Sequence, residues 1–189
     1  MKLYSYYTLD CNNFVKQQCL EILHEQWDFK TPKIFRIDLL SDLCKALDAE
    51  MQQKQLPTVR LVSIFCRGPN NKQIIHRDTI GDEAIVICKT GFYIPILADN
   101  SKLEWFNPLS GIETRAFTPA YANSHNKKTG VLSVRYNDID SEKIGEYISG
   151  DPVIINTEVP HRAVSTTSPR AALAIRLHDN INLFDVLGI

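Results

Sequence analysis

The chain has 189 residues, 44% hydrophobic and 23% charged, with a net charge of −1. That length and apolar content suit one globular domain with a substantial core and argue against two independent ones. A balanced charge provides no field to draw the protein to a nucleic-acid backbone or an anionic membrane.

At the N-terminus, "MKLYSYYTLDCNNF" lacks the apolar core and small-residue cleavage site of a leader, and no run of 18 apolar residues occurs, which predicts a soluble, cytoplasmic protein. The five cysteines, Cys11, Cys19, Cys44, Cys66 and Cys88, are odd in number and contain no CxxC pair, so they are expected as reduced, mostly buried thiols. After "TLDCNN", the segment "FVKQQCLEILHEQW" spaces Phe14, Cys19, Ile22 and Trp27 near the helical repeat and predicts an amphipathic helix that carries His24 on its surface. A second helix is predicted after Ser41 and Asp42, with Leu43, Ala46, Leu47 and Met51 on one side and Pro57 marking its end.

Beyond residue 57 the texture changes to short runs rich in Val, Ile, Phe and Tyr, separated by Gly, Pro and Asn. Strands are predicted at 58–67, 72–78, 83–90, 91–98, 102–107, 113–119, 131–136, 151–157, 160–165 and 170–178. So many short strands at close spacing indicate a sandwich or barrel rather than a βαβ sheet. "YANSHNKKTG" (121–130) reads as a loop, and "DIDSEKIGEYISG" (138–150) as a loop or one short helix. The expected organisation is a single domain: helical support in 1–57, a β core in 58–178 and a tail in 179–189.

Chemistry concentrates in two places. "KQIIHRD" puts His76 and Asp78 two apart in a strand, so both project from one face and can grip one ion. "GDPVIINTEVPHRAVSTTSPRAALAIRL" (150–177) places Val159, His161 and Ala163 on one face of a strand with Arg162 turned away. It then returns as a strand with Leu173, Ile175 and Leu177 on one side and Arg170, Ala172, Ala174 and Arg176 on the other. The apolar side needs a cover, which the two helices offer. Two arginines with alanines between them make a poor core and a good floor for an anion. The bland alternative has His161 packing beside Pro160 and bonding a carbonyl, while Asp78 starts a turn and pairs with Arg77 or a lysine. Asp82 and Glu83 read as turn solvation, His125 as a solvated loop residue, His178 as a rim residue outside any metal shell, and Trp105 and Phe106 as core.

His76-x-Asp78, a distal His161 and Arg170 nine residues beyond it resemble the iron(II)- and 2-oxoglutarate-dependent oxygenases. The resemblance implies a mainly β fold with N-terminal helices, a double-stranded β-helix (jelly roll) braced by two helices. It implies iron(II) held by His76, Asp78 and His161, with 2-oxoglutarate as co-substrate and dioxygen as oxidant. Three open positions on an octahedral ion suffice for a bidentate 2-oxo acid and dioxygen. Arg170 would anchor the distal carboxylate through its planar, permanently charged fork, with Arg176 in reserve, and Tyr93 and Asn156 are further candidates for co-substrate contact. The long separation of the two histidines suggests an inserted loop within 107–130. The expected outcome is hydroxylation of a prime substrate that the residues do not name. Competing readings are a jelly-roll module binding a small anion without redox chemistry, and a cupin-like metalloenzyme that does not use 2-oxoglutarate. No membrane or nucleic-acid partner is expected, and oligomeric state has no signature in the sequence.

Overall fold

The computed structural model describes residues 1–80, 86–109, 114–122 and 128–189. The chain opens with strand β1 (Tyr4–Tyr6), helix α1 (Asn12–Gln26), strand β2 (Lys33–Arg36) and helix α2 (Asp42–Gln53). Strands β3 (Val59–Arg67), β4 (Ile75–Ile80), β5 (Val86–Ile87), β6 (Thr90–Leu97), β7 (Lys102–Pro108), β8 (Thr114–Ala122), β9 (Lys128–Tyr136), β10 (Ser141–Ile148), β11 (Val153–Asn156), β12 (His161–Val164) and β13 (Arg170–Leu177) follow, and helix α3 (Leu183–Leu187) ends the order. Among the described residues, no helix is long and apolar enough to cross a membrane.

The fold is mainly β. Its strands run β1-β11-β6-β13-β3-β2 and then β8-β9-β4-β12-β7-β10, with β5 beside β4. The described pairings are antiparallel except that of β2 with β8, where Phe35 lies opposite Tyr121. The two halves of this path face each other, because side chains of β3, β6 and β13 and side chains of β4, β7 and β12 line one internal cavity.

The outer face of the first half carries the main core. Leu173, Ile175 and Leu177 of β13 and Val62, Ile64 and Cys66 of β3 pack there with Val15, Cys19 and Leu23 of α1 and Leu43, Leu47 and Met51 of α2. The two helices thus cover the apolar face, as the pattern of β13 requires. Within α1 the buried stripe is Val15, Cys19 and Leu23, continued by Trp27; it includes Cys19 and Trp27 of the predicted set but not Phe14, which is 42% exposed. A strict i, i+4 row runs through 15, 19, 23 and 27, and Phe14 lies one position off it. Ser41 caps α2 by accepting from the Cys44 amide at 3.3 Å. Cys11 stands at the N-cap of α1, and its own side chain makes no cap bond. The Glu50 carboxylate of α2 takes its place, accepting from the amides of Asp10 at 2.7 Å and Cys11 at 2.9 Å.

Several segments differ from expectation. The stretch read as loop or helix at 138–150 contains β10, an edge strand paired with β7, in which only Tyr147 is buried. An edge strand solvated on one face lacks the apolar alternation that reveals a strand in sequence. Where an inserted loop was expected, within 107–130, the long strands β8 and β9 pair antiparallel; residues 121–122 and 128–130 belong to strands, and the rest of the predicted loop lies outside the described residues. Residues 1–57 also contribute two strands. The C-terminal stretch packs on the core through Leu183 and Phe184 of α3. All five cysteines are free, and all but Cys11 are buried.

Candidate metal centre

Strand pairing assembles the centre. His76 of β4 and His161 of β12 are cross-strand partners, which brings their ring centroids to 4.7 Å. Asp78 follows two residues along β4 on the same face. Its Oδ1 lies 3.4 Å from Nε2 of His76 and 3.9 Å from Nε2 of His161, and one donor atom from each of the three residues lies within 4.8 Å of the others. Adjacent ligands of an octahedral ion with bonds of about 2.1 Å stand about 3 Å apart, so a small inward movement closes the set around a cation.

Both imidazoles are oriented alike. His76 Nδ1 lies 2.9 Å from the Ile74 carbonyl oxygen, and His161 Nδ1 lies 2.9 Å from that of Val159. A carbonyl only accepts, so each Nδ1 carries a proton and each Nε2 faces Asp78, the ring nitrogen that a metal ion would take. Burial pushes the His161 pKa down to about 4, which keeps its ring neutral at physiological pH. Burial opposes ionisation of Asp78 most strongly, but the Arg176 guanidinium together with the His76 and His161 rings outweighs it and holds the carboxyl well below the usual carboxylate range. Two lone pairs and a carboxylate oxygen converging in the interior are a donor set suited to a divalent metal.

Arg176 donates through Nη2 to Asp78 Oδ2, leaving Oδ1 directed at the two imidazoles. It therefore acts on the carboxylate itself. Its proximity to Gly91 is equally close: a Cβ at that glycine would stand 1.7 Å from Arg176 Nη1. Arg170, 2% exposed, donates through Nη2 to the Tyr93 hydroxyl, lies 5.4 Å over the Tyr93 ring, and has an Nε without a partner among the described residues. Tyr93 also stands 3.4 Å from the Ser149 hydroxyl. The triad, Tyr93, Arg170 and Arg176 line a single cavity of about 40 Å³.

Asn156 is not brought to this group. Its side-chain amide donates to the Lys2 carbonyl at 3.0 Å while its Oδ1 accepts from the Glu158 amide at 3.1 Å. The pleat explains this, because its neighbour Ile155 takes the position facing the cavity. The bland alternative drawn from the sequence is met only for His161, which does bond a carbonyl, through Nδ1; Asp78 lies within β4 rather than at a turn and pairs with Arg176 of β13. Arg162 turns outward to Glu104 and Asp138, and Trp105 and Phe106 are buried. His24 and His178 are exposed. Asp82, Glu83 and His125 lie outside the described residues.

Two residues were not singled out from the sequence. Gln73 donates its amide toward His76 Nε2 at 3.3 Å and accepts from the Ala163 amide at 3.3 Å, so it stands beside the centre. Arg67 is the cross-strand partner of Arg170. A signal for it existed: "TVRLVSIFCR" alternates Val62, Ile64 and Cys66 with Leu61, Ser63, Phe65 and Arg67, so the arginine shares the inward face.

No family model matches the chain, and no curated protein sequence matches it. Among solved structures, a prolyl-4-hydroxylase from Pseudomonas putida superimposes with a TM-score of 0.52 at 13% identity, covering 93% of each chain. HygX from Streptomyces hygroscopicus, solved with nickel and 2-oxoglutarate bound, superimposes with a TM-score of 0.50 at 9% identity over 90% of this chain and 78% of that one. At such identities the likeness is one of fold, and the chain has a 2-oxoglutarate-oxygenase-like fold.

Proposed function

We propose that this protein is an iron(II)- and 2-oxoglutarate-dependent oxygenase that hydroxylates its prime substrate, built on a double-stranded β-helix whose two layers are the two halves of the strand path. The observation that carries this reading is the convergence of His76 Nε2, His161 Nε2 and Asp78 Oδ1, with both Nδ1 atoms anchored on carbonyls, in one cavity with Arg170 and Tyr93.

His76, His161 and Asp78 would hold the ion on one side. Arg176, by retaining Oδ2 of Asp78, directs that carboxylate to bind through a single oxygen. When bound, iron(II) supplies the activation of dioxygen coupled to decarboxylation of 2-oxoglutarate to succinate. Arg170 and the Tyr93 hydroxyl would take the distal carboxylate, for which Arg170 has an Nε unanswered among the described residues. Because only about 40 Å³ is open between the layers, the dicarboxylate must displace the Arg170 guanidinium from its present contact with the Tyr93 hydroxyl, and it replaces that contact with a charge-assisted one. Leu103, Ile155 and Ala163 line the remaining wall and exclude water from the reacting centre.

Anaerobic addition of iron(II) and 2-oxoglutarate should give a weak visible charge-transfer band. His76→Ala and His161→Ala should abolish it, and Arg170→Gln should weaken 2-oxoglutarate binding while sparing metal binding. A band that persists in both histidine variants refutes the assignment. One feature favours a second reading, a non-catalytic anion-binding module: Arg176 already answers Asp78, and Gln73 already answers His76. Calorimetric titration of 2-oxoglutarate with and without metal separates the two, since only the oxygenase requires metal-dependent affinity.

A further inference from the structure

Gln73 and His76 line two cavities, the one holding the triad and a larger one of about 240 Å³. The larger space has room for roughly eight water molecules at the ~30 Å³ each takes in the liquid, which suits a small acid or an amino-acid side chain. It runs between the end of β3 and β9, where Arg67, Asn71, Ser133 and Arg135 form its walls, and among the described residues no carboxylate lines it. Arg67 is 8% exposed, its Nη1 donates to the Cys66 carbonyl at 3.2 Å, and it has no acidic partner among the described residues. Burial and the neighbouring Arg170 guanidinium, with Arg135 adding to them, press its pKa down to about 10. Arg135 reaches Ser133 Oγ through Nε at 3.4 Å.

A guanidinium buried without a counter-charge opposes folding, and an anion that enters the cavity offsets that cost. Arg170 does not serve this space: it lines the other cavity, bonded to Tyr93. Resting on the oxygenase reading, we propose that the larger cavity receives the prime substrate, and that this substrate carries an oxyanion, a carboxylate or a phosphate monoester, held by Arg67 with Arg135 beside it. The bound substrate then lies against the His76 edge of the metal centre, while the co-substrate occupies the Arg170 side.

The test titrates inorganic phosphate, and separately acetate, into the full chain by calorimetry, first without additions and then after loading with manganese(II) and N-oxalylglycine, an unreactive analogue of 2-oxoglutarate. Saturable binding of at least one probe at millimolar concentration is expected in both states. Arg67→Gln should weaken it roughly 10- to 100-fold, and Arg67→Lys should restore most of it. The tighter probe identifies phosphate or carboxylate as the recognised group. Arg67→Gln should also bind manganese(II) and N-oxalylglycine like the unmodified protein and melt no lower, because it loses an uncompensated buried charge; this excludes misfolding as the cause. Failure of both probes to bind, binding indifferent to Arg67→Gln, or competition between the bound probe and N-oxalylglycine overturns the proposal. If manganese(II) and N-oxalylglycine do not bind while phosphate or acetate binding still depends on Arg67, the anion subsite stands and the oxygenase reading fails.

Discussion

Replacing Arg176 by methionine tests the electrostatic logic of the centre. Its side chain is 7% exposed and that of its partner Asp78 is 17% exposed, so the pair is largely withdrawn from water. Removing one member of such a pair strands the other charge and costs about 3–5 kcal/mol. For a chain of this size each 1 kcal/mol corresponds to roughly 2–4 °C in Tm, so the metal-free variant should melt roughly 6–20 °C lower. The same substitution removes a positive charge beside the metal-binding oxygen of Asp78, so Arg176→Met should bind a divalent ion more tightly than the unmodified protein. By linkage, saturating metal must then stabilise the variant more. Melting both proteins in chelator and in excess manganese(II) provides the check: the difference in Tm should be wide without metal and narrow with it. A difference that stays constant, or widens with metal, would refute the claim that Arg176 and the cation share one carboxylate.

Three further outcomes are expected. Gly91→Ala should destabilise by about 1–3 kcal/mol in denaturant titration, because the new Cβ would stand 1.7 Å from Arg176 Nη1 and 2.9 Å from the Ile175 carbonyl oxygen. Glu50→Ala should lower stability by about 1–3 kcal/mol by leaving the Asp10 and Cys11 amides without their acceptor, with Glu50→Gln recovering part of the loss; equal melting of the alanine variant and the unmodified protein would show that the cap contributes nothing. In metal-free protein, the native His161 titrates near pH 4 and the unfolded one near its usual 6.5. The unfolded chain therefore takes up the extra proton between those values, so this contribution is complete above pH 6.5, falls away toward pH 4, and amounts to about 3 kcal/mol at most. His161→Asn should flatten the dependence of Tm on pH in that window, whereas the loss from Asp78, whose native pKa is depressed, begins only below about pH 4.

Legibility followed local periodicity. His76 and Asp78 were readable as a same-face pair because the period of a strand is two, and the two unlike faces of β13 were readable for the same reason. Strand β10 was not, since its edge position leaves most of its side chains in water and removes the apolar signal. Of the residues expected on the buried row of α1, Cys19 and Trp27 lie on it, whereas Phe14 is apolar yet exposed and stands one position before Val15. Asn156 looked like a co-substrate contact until its pleat position turned it toward Lys2. Arg176 looked like a second anion anchor until the facing layer brought Asp78 to it.

By itself the sequence determined residue chemistry and parity along each strand: which side chains can bind a cation, which can bind an anion, and which share a face. The tertiary structure decided who meets whom: His76 with His161 and Arg67 with Arg170 by strand pairing within a layer, and Arg176 with Asp78 across the two layers. Those meetings join residues distant along the chain through strand pairing and layer packing, and no period within a single strand encodes which partner lies opposite.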